Sequence, residues 1–180
     1  RNSMTLENLR DLFEHELADL YDAEQQLVKT LPKMAKAAES EELREAIEHH
    51  VGQTEEHVTR LERVFSVIQS RPNSAKCKGM KGLIEEGSDV MKMKMSPHVR
   101  DAAIIGSAQR VEHYEIAAYG TARAYAESLG LDEAARLLKE TLEEEKEANI
   151  KLNAVAKFVN SRAESESRPA TKPRVRGAGA

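Results

Sequence analysis

Four glutamates, Glu24, Glu112, Glu115 and Glu145, occupy positions where the surrounding periodicity demands apolar side chains. Each falls near the middle of a long helical pattern, on a stripe otherwise made of Leu, Ile, Val and Ala, and no Lys or Arg shares those stripes. A buried carboxylate without a cationic partner is costly, so it either keeps its proton or holds a metal. Glu112 and Glu115 are three residues apart and project from one helix face. His50 and His57 lie two helical turns apart on a further stripe, flanking Thr54. Four carboxylates sum to a charge of -4, which two divalent ions neutralise, and carboxylate with imidazole suits iron or manganese.

Placing these groups together requires long helices, and the apolar period of 3.5 to 3.6 residues supplies four. The first is expected from an N-cap at Thr5 to about Ala38, with Pro32 kinking its last turns. Ser40 caps the second, which runs to about Ile68 on the stripe Leu43, Ile47, His50, Thr54, His57, Leu61, Val64 and Ile68. The third opens at Ser96 and Pro97, carries Glu112 and Glu115, and closes at Gly130. The fourth starts at Asp132 and carries Glu145 between Leu138 and Leu152. Between the second and third lies a long link with its own amphipathic piece, Gly79 to about Met93.

The connections therefore run short, long, short. One long crossover predicts an all-α, ferritin-like antiparallel four-helix bundle with a short fifth helix in the crossover. In such a bundle, mid-helix positions share one depth, so Glu24, His57, Glu112, Glu115 and Glu145 would meet in a single layer. The domain reading is a remnant over residues 1–4, a bundle over 5–160, and a Ser, Arg, Pro and Ala rich tail over 161–180.

Composition agrees and narrows the field. The 180 residues suit one domain with a single core. Abundant Ala, Leu, Glu, Lys and Arg favour helices over sheet. The net charge of -4 argues against a general nucleic-acid binder, leaving only weak phosphate contact through four basic residues of the tail. No apolar run approaches the roughly 20 residues needed to cross a bilayer, and a cytoplasmic setting is expected. A single cysteine excludes an intrachain disulfide. Flanked by Lys76 and Lys78 in a polar stretch, Cys77 reads as a surface thiol of lowered pKa. Tyr21, Tyr114, Tyr119 and Tyr125 read as core filler with hydrogen-bonded hydroxyls. His113 should point away from the acidic face.

Four separated stretches carry a family likeness: Asp22-Ala23-Glu24-Gln25-Gln26-Leu27, Gly82-Leu83-Ile84-Glu85-Glu86-Gly87, Val111-Glu112-His113-Tyr114-Glu115-Ile116-Ala117, and Leu137-Leu138-Lys139-Glu140-Thr141-Leu142 with Glu143-Glu144-Glu145-Lys146. Together, over residues 5 to 160, they resemble the YciE/YciF-type ferritin-like stress proteins. That resemblance implies a ferritin-like bundle, a homodimer, a di-iron centre and a bacterial stress-response setting, without supplying a reaction. It assigns metal ligation to Glu24, Glu112, Glu115 and Glu145. The sequence departs from the expected patterns elsewhere. Thr54 stands three residues before His57 where relatives use Glu, and Gln53 follows His50 where the family has Glu. Ala148 replaces a histidine on the last helix, with Asn149 beside it as a weak substitute. The expected ligand set is therefore Glu24, His57, Glu112, Glu115, Glu145, His50, Gln53 and Asn149, holding two irons or manganese ions per chain. The expected function is di-iron or di-manganese chemistry that reduces dioxygen or peroxide. The alternative is a structural or interaction dimer that keeps the bundle with little metal chemistry.

Overall fold

The computed structural model describes residues 6–73 and 75–166. Five helices follow in order, with no strand among the described residues: α1 Leu9–Ala37, α2 Glu41–Val67, α3 Lys78–Met91, α4 Pro97–Ser128 and α5 Asp132–Glu166. Asn8, not Thr5, caps α1, its side-chain oxygen accepting from Asp11 N at 3.0 Å. Thr5 and residues 1–4 lie outside the described residues, and Leu6 precedes the helix, 41% exposed. Ser40 caps α2 as its sequence implies. α1 continues as helix through Pro32. α5 extends to Glu166, beyond the expected start of the tail at 161; the rest of that tail, 167–180, lies outside the described residues.

α1 packs against α2 and α4, and α5 packs against the same two helices. The ends fix their directions. Arg10 at the start of α1 donates to Ile68 O at the end of α2, at 2.5 Å. Asp101 near the start of α4 accepts from Glu39 N and Ser40 N, where α1 passes into α2. Each packed pair among the four long helices α1, α2, α4 and α5 is thus antiparallel, and α2 and α4 run parallel. The chain leaving α2 must return along the bundle before α4 can begin. α3, roughly 21 Å long at 1.5 Å per residue, makes that return against α4 and α1.

Two close approaches shape the link and the turn. Gly79 lets the Tyr114 ring lie where a Cβ would meet it at 2.6 Å, and Gly130 takes φ +68 between α4 and α5. The apolar core is divided in two. One part holds Phe13, Leu17, Leu20, Leu61, Val64 and Leu138; the other holds Leu27, Leu31, Leu43, Ile47, Ile104 and Leu152. In every helix of the bundle the predicted polar residues fall between those two sets. No helix among the described residues is long and apolar enough to cross a membrane.

Candidate metal centre

The heptad-like stripes that build the core also carry the polar layer, which is why its residues are buried. Glu24, Glu115, Glu145, His57 and Thr54 are fully enclosed, and Glu112 and His50 are nearly so. Two sets of ligand atoms converge. His50, Glu112, Glu115 and Glu145 form one, and Glu24, His57 and Glu145 form the other, each within 4.8 Å. Glu145 is common to both. Each set holds one imidazole, and both imidazoles come from α2.

His50 Nε2 lies 3.4 Å from Glu112 and 3.5 Å from Glu145. Its other ring nitrogen meets Gln53 Oε1 at 3.4 Å. His57 Nδ1 lies 2.9 Å from Glu145 and 3.3 Å from Glu24, without hydrogen-bond alignment to either. Tyr119 donates to Glu24 Oε1 at 2.5 Å, so one predicted core tyrosine does reach the layer.

Many donor atoms here have no hydrogen-bond partner. Both oxygens of Glu115 and of Glu145, one oxygen each of Glu24 and Glu112, His50 Nε2 and His57 Nδ1 are buried and unpaired. Leaving such atoms unsatisfied costs roughly 1–3 kcal/mol each, so an all-protein core gains nothing from this arrangement. These are instead the atom types that bind hard and borderline cations, and the residues present fit a metal pair.

The electrostatics point the same way. Burial, with the neighbouring carboxylates, pushes the carboxyl groups of Glu112 and Glu115 well above the usual range. Glu145 is also raised, by burial and by Glu24, against the opposing pull of His57. Burial lowers the His57 pKa, but Glu144, Glu145 and Glu24 overcome it and lift it to about 11.

The expectation that no cation accompanies the layer needs correction at its edge. His57 Nε2 donates to Glu144 Oε2 at 2.8 Å, and Arg60 donates to the same oxygen at 2.6 Å. Arg60 is 8% exposed and also donates to Thr141 at 2.8 Å. The His57 and Arg60 contacts, against burial, hold Glu144 at a pKa of about 2. A carboxylate that grips one imidazole nitrogen leaves the other free to ligate a metal. Sequence reading missed Glu144 and Arg60 because they lie beside the apolar stripes; the spacing of Arg60 from His57, three residues on the same helix, was the available signal.

The two groups are made of histidines and carboxylates, and the remaining expected ligands, Gln53 and Asn149, have other neighbours. Gln53 Oε1 lies 3.4 Å from His50 Nδ1, and Asn149 Oδ1 accepts from Gln109 at 3.5 Å. Asn149 is one residue past Ala148, and that step turns its side chain by about 100° around the helix. His113 is exposed, as expected. Cys77 is not a surface thiol. It caps α3, is 1% exposed, and its sulfur lies 3.0 Å from Tyr114 Oη. Burial, with Asp19 nearby, lifts its pKa to about 11 against the hydrogen bonds of Tyr114 and Met80 N. Lys76 instead pairs with Asp22 at 2.8 Å.

An antiparallel helical bundle with one long crossover and a carboxylate–histidine layer between two apolar halves defines the ferritin-like class. The chain belongs to the DUF892 family, described as a domain of unknown function, which residues 8–164 match. Protein YciF of Escherichia coli is 45% identical over 169 residues, covering 91% of this chain and all of that one. The crystal structure of the E. coli stress protein YciF superimposes with a TM-score of 0.85 at 43% identity, covering 87% of this chain and 99% of that chain. YcfI from Rhodopseudomonas palustris gives 0.82 at 42%, covering 85% and 98%. A Xanthomonas campestris protein at 23% identity and 0.70, covering 88% and 97%, shares the fold.

Proposed function

We propose that this chain binds two iron or manganese ions in its core and serves stress defence by reducing peroxide or dioxygen. The observation that carries the reading is the set of buried, unpaired carboxylate and imidazole atoms converging in one layer. Glu145 would contribute to both positions. Glu24 and His57 would complete one, and His50, Glu112 and Glu115 the other. Two divalent ions would balance the four carboxylates, which otherwise repel one another in a medium of low dielectric. A bound metal pair supplies two electrons to an oxidant. The protein's own share is to fix the ligands, exclude bulk water, and hold His57 through Glu144 and Arg60.

The description of the E. coli relative as a stress protein supports the setting. A cytoplasmic homodimer belongs to the same reading: Ile150 and Phe158 on α5 are 67% and 73% exposed and offer apolar surface to a second copy. The test is peroxide consumption by protein loaded anaerobically with ferrous iron. Consumption above that of free iron, abolished by Glu24→Ala, is expected; metal-loaded protein that consumes neither peroxide nor dioxygen overturns the reductase reading.

One observation favours a second reading, in which the bundle is structural. His57 stands between Glu24 and Glu145 and offsets part of their charge without any metal, and the R. palustris relative is described as a candidate structural protein. In that case, replacing a layer carboxylate should leave stability equal or improved and change no metal content.

A further inference from the structure

We propose that the cavity between α2, α4 and α5 is the entrance through which a small oxidant or anion, of the size of peroxide or azide, reaches the layer, and that Ala148 keeps it open. The inference rests on the metal-binding reading and extends it to the class of substrate. The cavity measures about 20 Å³, room for about one water-sized molecule. Its lining joins solvent to the layer. His49 and Lys151 are exposed, Gln53 is half-buried, and His50 and Glu112 are buried at 5% and 3% exposure. His50 Nε2 and Glu112 Oε2 have no hydrogen-bond partner. The cavity therefore ends against two layer residues, each with a buried atom that no hydrogen bond satisfies.

On the opposite side of the layer the described side chains are tied to one another. There His57 donates to Glu144, which Arg60 braces while itself donating to Thr141, and Tyr119 donates to Glu24. The entrance also sets a size limit. A space this small excludes organic substrates and metal chelates, and peroxide, dioxygen or azide would pass it only end-on and in single file. At position 148 the lining side chain is a single methyl. Three further carbons, as in leucine, exceed the space of one water and close it.

The experiment uses cobalt(II)-loaded full-length protein titrated with azide and followed by its visible spectrum, so binding of metal and entry of anion are read separately. In the native protein azide should change the cobalt bands. Ala148→Leu should weaken or slow the azide response by about tenfold or more, with cobalt affinity unchanged within about threefold. Ala148→Gly should respond at least as fast as the native chain. Should the leucine variant fail to fold, Ala148→Val takes its place, with a slowing of about threefold or more expected. Azide binding unaltered by the larger side chain, or bound cobalt that does not respond to azide at all, overturns the entrance alone. Failure of the native protein to bind cobalt overturns the metal reading and the entrance with it.

Discussion

Replacing Glu115 with Gln should stabilise the metal-free protein and at the same time weaken its metal binding. Glu115 is fully enclosed and neither oxygen has a partner. Burial, then the like charges of Glu145, Glu24 and Glu112, raise its pKa well above 4.5, and nothing opposes them. Keeping such a carboxyl protonated at pH 7, when the unfolded chain ionises it freely, costs up to about 3 kcal/mol. Glutamine preserves length and shape without that cost, and its amide donors face carboxylate acceptors. The metal-free variant should gain about 1–3 kcal/mol, or roughly 3–9 °C in Tm for a domain of this size. Excess manganese should reverse the order, because the native chain gains RT ln(1 + [L]/Kd) and the variant gains less. The assay is a pair of thermal melts at pH 7, with chelator and with manganese. A metal-free variant destabilised by more than about 1 kcal/mol, with manganese stabilisation equal to that of the native chain, would refute the reasoning.

Glu144→Gln should lower metal affinity by about 10–100-fold, since His57 loses the carboxylate that orients it; competition with a metal chelator reads this, and unchanged affinity would remove Glu144 from the site. Metal-free protein should become more stable from about pH 7 to about pH 5, because groups whose folded pKa is raised keep their protons better when folded, and that stability is lost as pH rises. The raised carboxyls of Glu112, Glu115 and Glu145 and the raised His57 all act in this direction. Glu144, depressed to about 2, opposes it only below the ordinary carboxylate range. Saturating manganese should reverse the slope, since protons compete for the ligands; melts across this range check both signs. Cys77, with its pKa lifted to about 11, should resist an aqueous disulfide reagent near pH 8 by about 100-fold relative to the unfolded chain; a native thiol that reacts at the unfolded rate would contradict its burial.

The helices, the crossover and the polar layer were legible because one signal, helical periodicity, encodes all three. Glu24 between Leu20 and Leu27, or Glu145 between Leu138 and Leu152, breaks an apolar stripe without shifting its register, so burial follows from position alone. His50 and His57 could be placed by the same means. What periodicity does not encode is long-range pairing off the stripe. Glu144 looks like an ordinary solvated glutamate in an acidic run until Arg60 and His57 from α2 approach it. Asp101 was likewise hidden: it is fully buried because the backbone of Glu39 and Ser40 reaches it across the bundle end. Cys77 failed for the opposite reason. Its neighbours are polar in sequence, but capping α3 turns its sulfur inward against Tyr114, while Lys76 turns outward to Asp22.

Metal content per chain is the most direct measure of the central claim. Protein purified without chelators from iron-supplemented cells, or reloaded anaerobically with ferrous iron, should carry about two irons or manganese ions per chain, and about none once Glu145, common to both ligand groups, is replaced by Ala. A native chain that stays near zero after reloading would contradict the account and leave the layer as a feature of a structural bundle.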